Sequence, residues 1–346
     1  MKSGLFRALG SIVIGGGVLL FNTSAVAAKP VDRSTMLFPY YEVPEVLGSA
    51  VNHHYRKDTA ALLQGLKQLD NSTARYCKGG VGLNALKKHY SEAYLAWLEL
   101  SAVVIGPLLD NNTVRQIDFR PLREKLLERA IKKQPKGAQA MALVGSPAKG
   151  FPAFEHLMAH SSFRPGSAEC DYAQEVVKDI QRTVGDLQWN KLPDSMQLYF
   201  NQMVGALHNL GWERMEKPLL KNKDSRAQQG ASEWPFSAMG LTTQAWAAQW
   251  RGIEHVLVLN SATVPQANRH VVPLEAYLRG LGQIELADTL VKHSDAVDKA
   301  LQANDIAKPA TIERSVKALK VLKGFMEQDV AKGLKVSIQF SSSDGD

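Results

Sequence analysis

Apolar residues recur at steps of three and four along most of this chain, and this helical period is the feature that most limits its fold. Between residues 83 and 104 the apolar stripe comprises Leu83, Leu86, Tyr90, Ala93, Tyr94, Trp97, Leu100 and Val104. The same spacing recurs over 121–131, 170–187, 195–215, 241–259, 274–304 and 311–330. The sequence therefore predicts an all-α protein whose helices pack together through these stripes.

A polar segment from Lys217 to Pro235 interrupts the helical pattern with proline, glycine and a run of charged and amide side chains. We expect it to join two helical-bundle domains, an N-terminal one over 45–220 and a C-terminal one over 231–346. The runs Phe154–Met158 and Ile253–Leu257 share the order apolar-Glu-His-apolar-apolar. A duplicated bundle would explain this similarity, but five positions do not separate duplication from chance.

The first residues have the three parts of a secretory signal peptide. Lys2 and Arg7 precede a short apolar run from Ile12 to Phe21, and Ala25-Val26-Ala27 forms a small-x-small cleavage site. We predict a signal peptide over 1–27 and a periplasmic mature chain; a retained membrane anchor is the alternative interpretation. No cysteine lies near the cleavage point, so we do not expect a lipoprotein. No later apolar stretch approaches 18 residues, so we expect no transmembrane segment after signal removal.

Charge and cysteine content exclude several classes of protein. The net charge of +7 is mildly basic, but no dense Lys/Arg block is interleaved with aromatic residues, so we expect no nucleic-acid partner. Two cysteines are too few for a four-thiolate zinc site or a cysteine-ligated iron–sulfur cluster. Cys77 and Cys170 form either a disulfide or two separate thiols, and the sequence leaves both open.

A candidate site begins at Gly150. This glycine and Pro152 precede a short apolar helix that carries Glu155 in its first turns, where the helix dipole favours a negative charge. A buried carboxylate there needs a cation, an arginine or a metal as its partner. Either Glu155 is an ordinary helix-start glutamate, or it belongs to a functional pocket. Zincin, nucleophile-elbow and phosphate-loop motifs are absent from the sequence.

Short motifs follow one another along the chain: 96–108, 117–121, 149–155, 170–172, 217–219, 232–234 and 333–346. In content and order they resemble the imelysin-like family, once classed as M75 peptidases. The resemblance implies two helical bundles related by a duplication, with a cleft at their interface. It also implies an exported protein linked to iron uptake.

The family signature Gly-x-His-x-x-Glu, from which metal binding and peptidase activity were inferred, is incomplete here. Gly150 and Glu155 match it, but Pro152 occupies the histidine position and has no lone pair to offer a metal. His156 follows Glu155 directly, and on a helix its side chain points about 100° away from that of Glu155. Pro152 at the histidine position argues against enzymatic activity, and the sequence leaves the question open.

By motif match, the resemblance implies ligand-binding and metal-binding positions but no catalytic residue. The ligand-binding candidates are Asp118, Arg120, Gly150, Glu155, Glu233 and Trp234, and the metal candidates are Glu155 and His156. Convergence of the three carboxylates would create an oxygen-rich site suited to iron or another divalent cation.

These observations lead to one main hypothesis and two alternatives. The main hypothesis is a non-enzymatic metal- or ligand-binding component of iron or haem acquisition, with iron, haem or an envelope protein as its partner. The first alternative is a metallopeptidase that uses Glu155 with a metal. The second is a periplasmic protein-interaction module.

Overall fold

The computed structural model describes residues 33, 35–227 and 234–338, and all regular elements within these ranges are helices. The first half contains α1 (Val43–Ala50), α2 (Arg56–Cys77), α3 (Leu83–Leu100), α4 (Pro107–Asp110), α5 (Thr113–Ile117), α6 (Glu124–Lys133), α7 (Gly137–Ala142), α8 (Gly150–Ala159) and α9 (Ala168–Gly185). The second half contains α10 (Met196–His208), α11 (Lys217–Ala227), α12 (Thr242–Leu257), α13 (Leu274–Gly280), α14 (Ile284–Gln302), α15 (Pro309–Phe325) and α16 (Ala331–Leu334). The all-α prediction is confirmed, whereas the predicted signal peptide over 1–27 lies outside the described residues.

Helix α2 is the centre of the first half, packing on α3 and α9, while α8 packs on α9. The apolar stripe predicted for α3 faces this interior, since Tyr90, Tyr94 and Trp97 are fully buried. A disulfide between Cys77 and Cys170, whose Cα atoms lie 5.6 Å apart, ties the end of α2 to the start of α9. This disulfide excludes the alternative of two separate thiols.

A long helix from Met196 to Ala227 begins the second half. Its N-cap is Ser195, whose Oγ accepts a hydrogen bond from the backbone N–H of Leu198 at 3.1 Å. Pro218 has no N–H to continue the α-helical ladder, and a π-helical segment, Asn209–Glu216, lies directly before it and joins α10 to α11.

This long helix packs on α15 and α12, so it sits with the second half of the chain. We expected an interdomain linker from Lys217 onward, but this segment is helical as far as Ala227. The division into domains 45–220 and 231–346 stays a prediction.

The two halves meet where α12 crosses the end of α3. A Cβ atom at Gly252 would lie 2.1 Å from the carbonyl oxygen of Glu99 and 2.8 Å from the Cβ of Ala102. Only glycine permits backbones to approach so closely. The crossing also carries an exposed ion pair between Arg251 and Glu99 at 3.0 Å.

The segment 274–304, predicted as one helix, is two helices. Gly282 has φ +75° and separates α13 from α14, a conformation that ends a helix at little cost only for glycine. Helix α13 carries the fully buried Glu275, which pairs with Arg279 at 2.9 Å and with Arg33 from the start of the described chain. In the part of the chain that the structure covers, no helix combines the length and apolar character needed to span a bilayer.

Candidate ligand-binding site

The site is organised by a close contact at the start of α8. Gly150 has φ +77°, and a Cβ atom there would lie 2.1 Å from the carbonyl oxygen of Ile117, the last residue of α5. The contact presses α8 against the end of α5 and brings Asp118, the next residue, beside the α8 side chains. Gly150 thus shapes the site through its backbone.

Three of the predicted ligand-binding residues meet in one network around the Arg120 guanidinium. Its Nε donates to Asp118 Oδ1 at 2.9 Å, and its Nη2 donates to Glu155 Oε2 at 2.8 Å. The Tyr94 hydroxyl accepts from Nη2 and donates to Asp118 Oδ2, each at 3.0 Å. The carboxylates of Asp118 and Glu155 are 2% and 8% exposed, whereas the Arg120 side chain is 27% exposed.

The network sets the protonation states of Arg120 and Tyr94. Burial lowers the pKa of Arg120, but Tyr94, Asp118 and Glu155 outweigh it and hold that pKa well above its usual value. Burial, reinforced by Asp118, raises the pKa of Tyr94 well above 10. Arg120 is therefore charged and Tyr94 protonated at neutral pH, so one arginine faces two carboxylates.

A second arginine approaches from the other half of the molecule. The Cζ atoms of Arg120 and Arg214 lie 4.9 and 5.4 Å from the ring centroid of Phe236, within cation–π range. Arg214 belongs to the π-helical segment, is half-buried, and forms no ion pair with a described residue. Phe236 is buried and has φ +63°, a conformation that non-glycine residues adopt at some cost and that often marks functional sites.

Trp234 is linked to this cluster through Trp246. It is buried and packs edge-to-face on Trp246, with ring centroids 5.7 Å apart. The Trp246 Nε1 donates to the backbone carbonyl of Arg214 at 3.0 Å. Trp234 therefore packs against the residue that holds the backbone of Arg214, and its ligand-binding role stays a prediction, while Glu233 lies outside the described residues.

The predicted metal ligands Glu155 and His156 face different neighbours. The Glu155 carboxylate binds Arg120, and the His156 ring stacks on His160 with centroids 4.0 Å apart. Among the described residues, no three His, Cys, Asp or Glu side chains are placed to hold one metal ion together. Pro152 is buried in the first turn of α8, where its missing N–H costs no helical hydrogen bond.

Sequence reasoning missed three members of the cluster: Tyr94, Arg214 and Phe236. Tyr94 was assigned to the apolar stripe of α3, although a buried tyrosine hydroxyl needs a hydrogen-bond partner and could have been flagged for that reason. Arg214 and Phe236 lie far from Arg120 in sequence and carry no local signal.

A family model described as imelysin, peptidase M75, matches residues 52–324. Among solved structures, an imelysin-like protein from Psychrobacter arcticum 273-4 superposes with a TM-score of 0.67 at 15% identity, covering 88% of this chain and 100% of the other. A "putative iron-regulated protein A precursor" from Parabacteroides distasonis ATCC 8503 gives 0.66 at 13% identity, covering 82% and 92%. These identities establish a shared fold. No curated protein sequence matches the chain.

Proposed function

The chain belongs to the imelysin family, and on that premise we propose that it is an exported, non-enzymatic binding protein of iron or haem acquisition. Its ligand docks through anionic groups at Arg120 and Arg214. The name of the Parabacteroides neighbour, which includes the words "iron-regulated", supports the link to iron. The two-bundle organisation and a cleft between the bundles are part of this proposal.

The observation that carries the proposal is the pairing of Arg120 with Asp118 and Glu155. A metal ion that bound Glu155 would have to displace a guanidinium held by two nearly buried carboxylates and a tyrosine hydroxyl. Separating a buried ion pair leaves uncompensated charge in a poorly solvated place, which is strongly unfavourable. The arrangement therefore favours a ligand that approaches the arginines over a metal that approaches the carboxylates.

Arg214 is the cation of this cluster that is available to an anionic ligand. Arg120 already balances part of the charge of the two carboxylates, while Arg214 has no such partner among the described residues and is half-buried beside Phe236. Guanidinium groups bind carboxylates in a planar, two-point geometry and are weakly hydrated. The propionates of haem and the carboxylates of ferric chelates have this chemistry, and the buried Phe236 ring contacts both guanidinium groups.

Calorimetric titration of the purified chain with haem, with ferric citrate and with citrate alone tests the proposal. We expect haem or ferric citrate to bind, and Arg214→Gln to weaken that binding about tenfold or more, the cost of losing one charge-assisted contact. Arg251→Gln, which removes an exposed arginine of α12, is the matched control and should bind as the unmodified chain does. The proposal would be contradicted if neither haem nor ferric citrate binds. It would also be contradicted if Arg214→Gln binds them with unchanged affinity.

A peptidase assay separates this proposal from the metallopeptidase alternative. The chain is incubated with unfolded protein substrates in the presence and absence of a chelator. The proposal predicts no cleavage in either arm. Cleavage that the chelator abolishes would support the metallopeptidase instead.

A further inference from the structure

Two histidines stack at the C-terminal end of α8, away from the arginine cluster. His156 lies in the last turn of α8, and His160, four residues later, is the C-cap residue of that helix. Their ring centroids lie 4.0 Å apart with an interplanar angle of 30°. His160 is exposed and His156 is half-buried, so the open side of the pair can be reached from solvent.

The tautomer of His160 is fixed by a local hydrogen bond. Its Nδ1 lies 2.7 Å from the backbone carbonyl oxygen of His156. A carbonyl only accepts, so Nδ1 carries the proton and Nε2 keeps its lone pair. A hydrogen bond from Nδ1–H to a backbone carbonyl is the usual support of a histidine that ligates a metal through Nε2.

The charge around the pair also favours a cation. Glu124 and Glu128, one turn apart on α6, are exposed, form no ion pair with a described residue and lie near enough to His156 to raise its pKa. Burial and the adjacent His160 ring lower that pKa more strongly, so the net shift is downward. The two α6 glutamates therefore add negative charge beside the histidine pair.

We propose that His156 and His160 form a binding site for a divalent first-row transition-metal ion such as zinc, copper or nickel. The two Nε2 atoms ligate the ion, water completes its coordination, and the α6 glutamates supply charge. Each lone pair lies in its ring plane, so the stacked rings, 4.0 Å apart, have to rotate out of their stack for both nitrogens to reach one ion at about 2.0–2.1 Å. Imidazole nitrogens suit these ions and not the harder calcium and magnesium.

This site is distinct from the arginine cluster and does not depend on the proposed function. Glu155, the other predicted metal ligand, takes no part in it, because its carboxylate is held by Arg120. Failure of haem or ferric chelates to bind would leave the histidine site standing, and failure of the histidine site would leave the arginine cluster standing.

Titration of the full, untagged chain with Zn²⁺ at pH 7.5 tests the inference. We expect one ion per chain, with affinity weakened about tenfold or more by His160→Gln or His156→Gln. His89→Gln is the matched control, because His89 is a surface histidine of α3 with only a glutamate, Glu92, at 3.2 Å. Imidazole ¹⁵N NMR supplies a second readout in the unmodified chain: Zn²⁺ should shift the Nε2 resonance of His160 while Nδ1 stays protonated.

The outcomes decide the matter in either direction. Loss of affinity in His160→Gln and not in His89→Gln supports the site, since an exposed side chain can be changed without unfolding the protein. Unchanged Zn²⁺ affinity in His160→Gln would overturn it. So would competition by excess Ca²⁺, because the glutamates alone would then be the ligands.

Discussion

Adjacent residues near the end of α12 titrate in opposite directions. Burial, reinforced by Asp298 and Asp295, raises the pKa of Glu254 to about 7. Burial, reinforced by the ring of His54 stacked at 4.7 Å, lowers the pKa of His255 to about 4. Their unperturbed values are 4.5 and 6.5, so both shifts fall in the same pH range.

The signs follow from linkage between protonation and folding. The raised pKa of Glu254 contributes stability that is fully present below pH 4.5 and is lost as the pH rises through about 7. The lowered pKa of His255 contributes stability that is present above pH 6.5 and is lost as the pH falls through about 4. Between pH 5 and 6.5 the free energy of unfolding falls with rising pH because of Glu254 and rises with pH because of His255. We therefore expect the two contributions to offset each other in the unmodified chain.

Substituting either Glu254 or His255 removes its contribution to the pH dependence of stability, so that the contribution of the other residue can be measured. At 1.36 kcal/mol per pKa unit, discounted for partial exposure, each residue accounts for about 1–3 kcal/mol across this range. Glu254→Gln should gain that amount relative to the unmodified chain at pH 8 and nothing at pH 4.5. His255→Gln should show the mirror image, with its relative stability about 1–3 kcal/mol higher at pH 4.5 than at pH 8.

Urea unfolding monitored by tryptophan fluorescence at pH 4.5, 6 and 8 measures these differences. The test is how the difference in unfolding free energy between each variant and the unmodified chain changes with pH. The absolute difference is not used, because loss of the His54 stacking contact lowers the stability of the His255 variant by the same amount at every pH. Differences independent of pH in both variants would refute the reasoning, since the two side chains would then titrate alike in the folded and unfolded states.

The remaining predictions concern the site and the disulfide, each followed by urea unfolding. Arg120→Met should cost about 3–5 kcal/mol, because it leaves the carboxylates of Asp118 and Glu155 nearly buried without their counter-charge; a cost below about 1 kcal/mol would argue against the buried ion pairs. Gly150→Ala should cost about 3 kcal/mol or more, because its Cβ meets a backbone carbonyl, whereas Gly166→Ala, with a similar φ and open space, should cost about 1 kcal/mol; equal costs would contradict the close contact. Cys77→Ser should cost about 4 kcal/mol, because its bond to Cys170 spans 93 residues; a cost below about 1 kcal/mol would contradict this.

The helices were predictable because their signal is local. The α3 stripe is encoded by residues three and four apart, and Tyr90, Tyr94 and Trp97 are all buried as that stripe requires. Helix ends were less predictable: the helical spacing runs over 121–131, but α6 begins at Glu124. The backbone N–H of Arg123 donates to the carbonyl oxygen of Pro147 at 3.0 Å, in the segment before α8. This is a tertiary contact that no local sequence pattern encodes.

The site was predictable only in part. Motif resemblance selected Asp118, Arg120 and Glu155, and the structure brings them together. That Arg120 supplies the counter-charge depends on how α8 packs against the end of α5. Arg214 arrives from a helix of the other half, so its approach to Phe236 depends entirely on tertiary packing.

The central claim is that the arginines, and not Glu155, receive the ligand, and Glu155→Gln tests it most directly. The variant keeps a hydrogen-bond acceptor for Arg120 while removing one competing negative charge. Calorimetry with haem and ferric citrate should therefore show binding by the variant that equals or exceeds that of the unmodified chain. Loss of binding in Glu155→Gln would contradict the account, because a carboxylate that ligates the iron would then be essential.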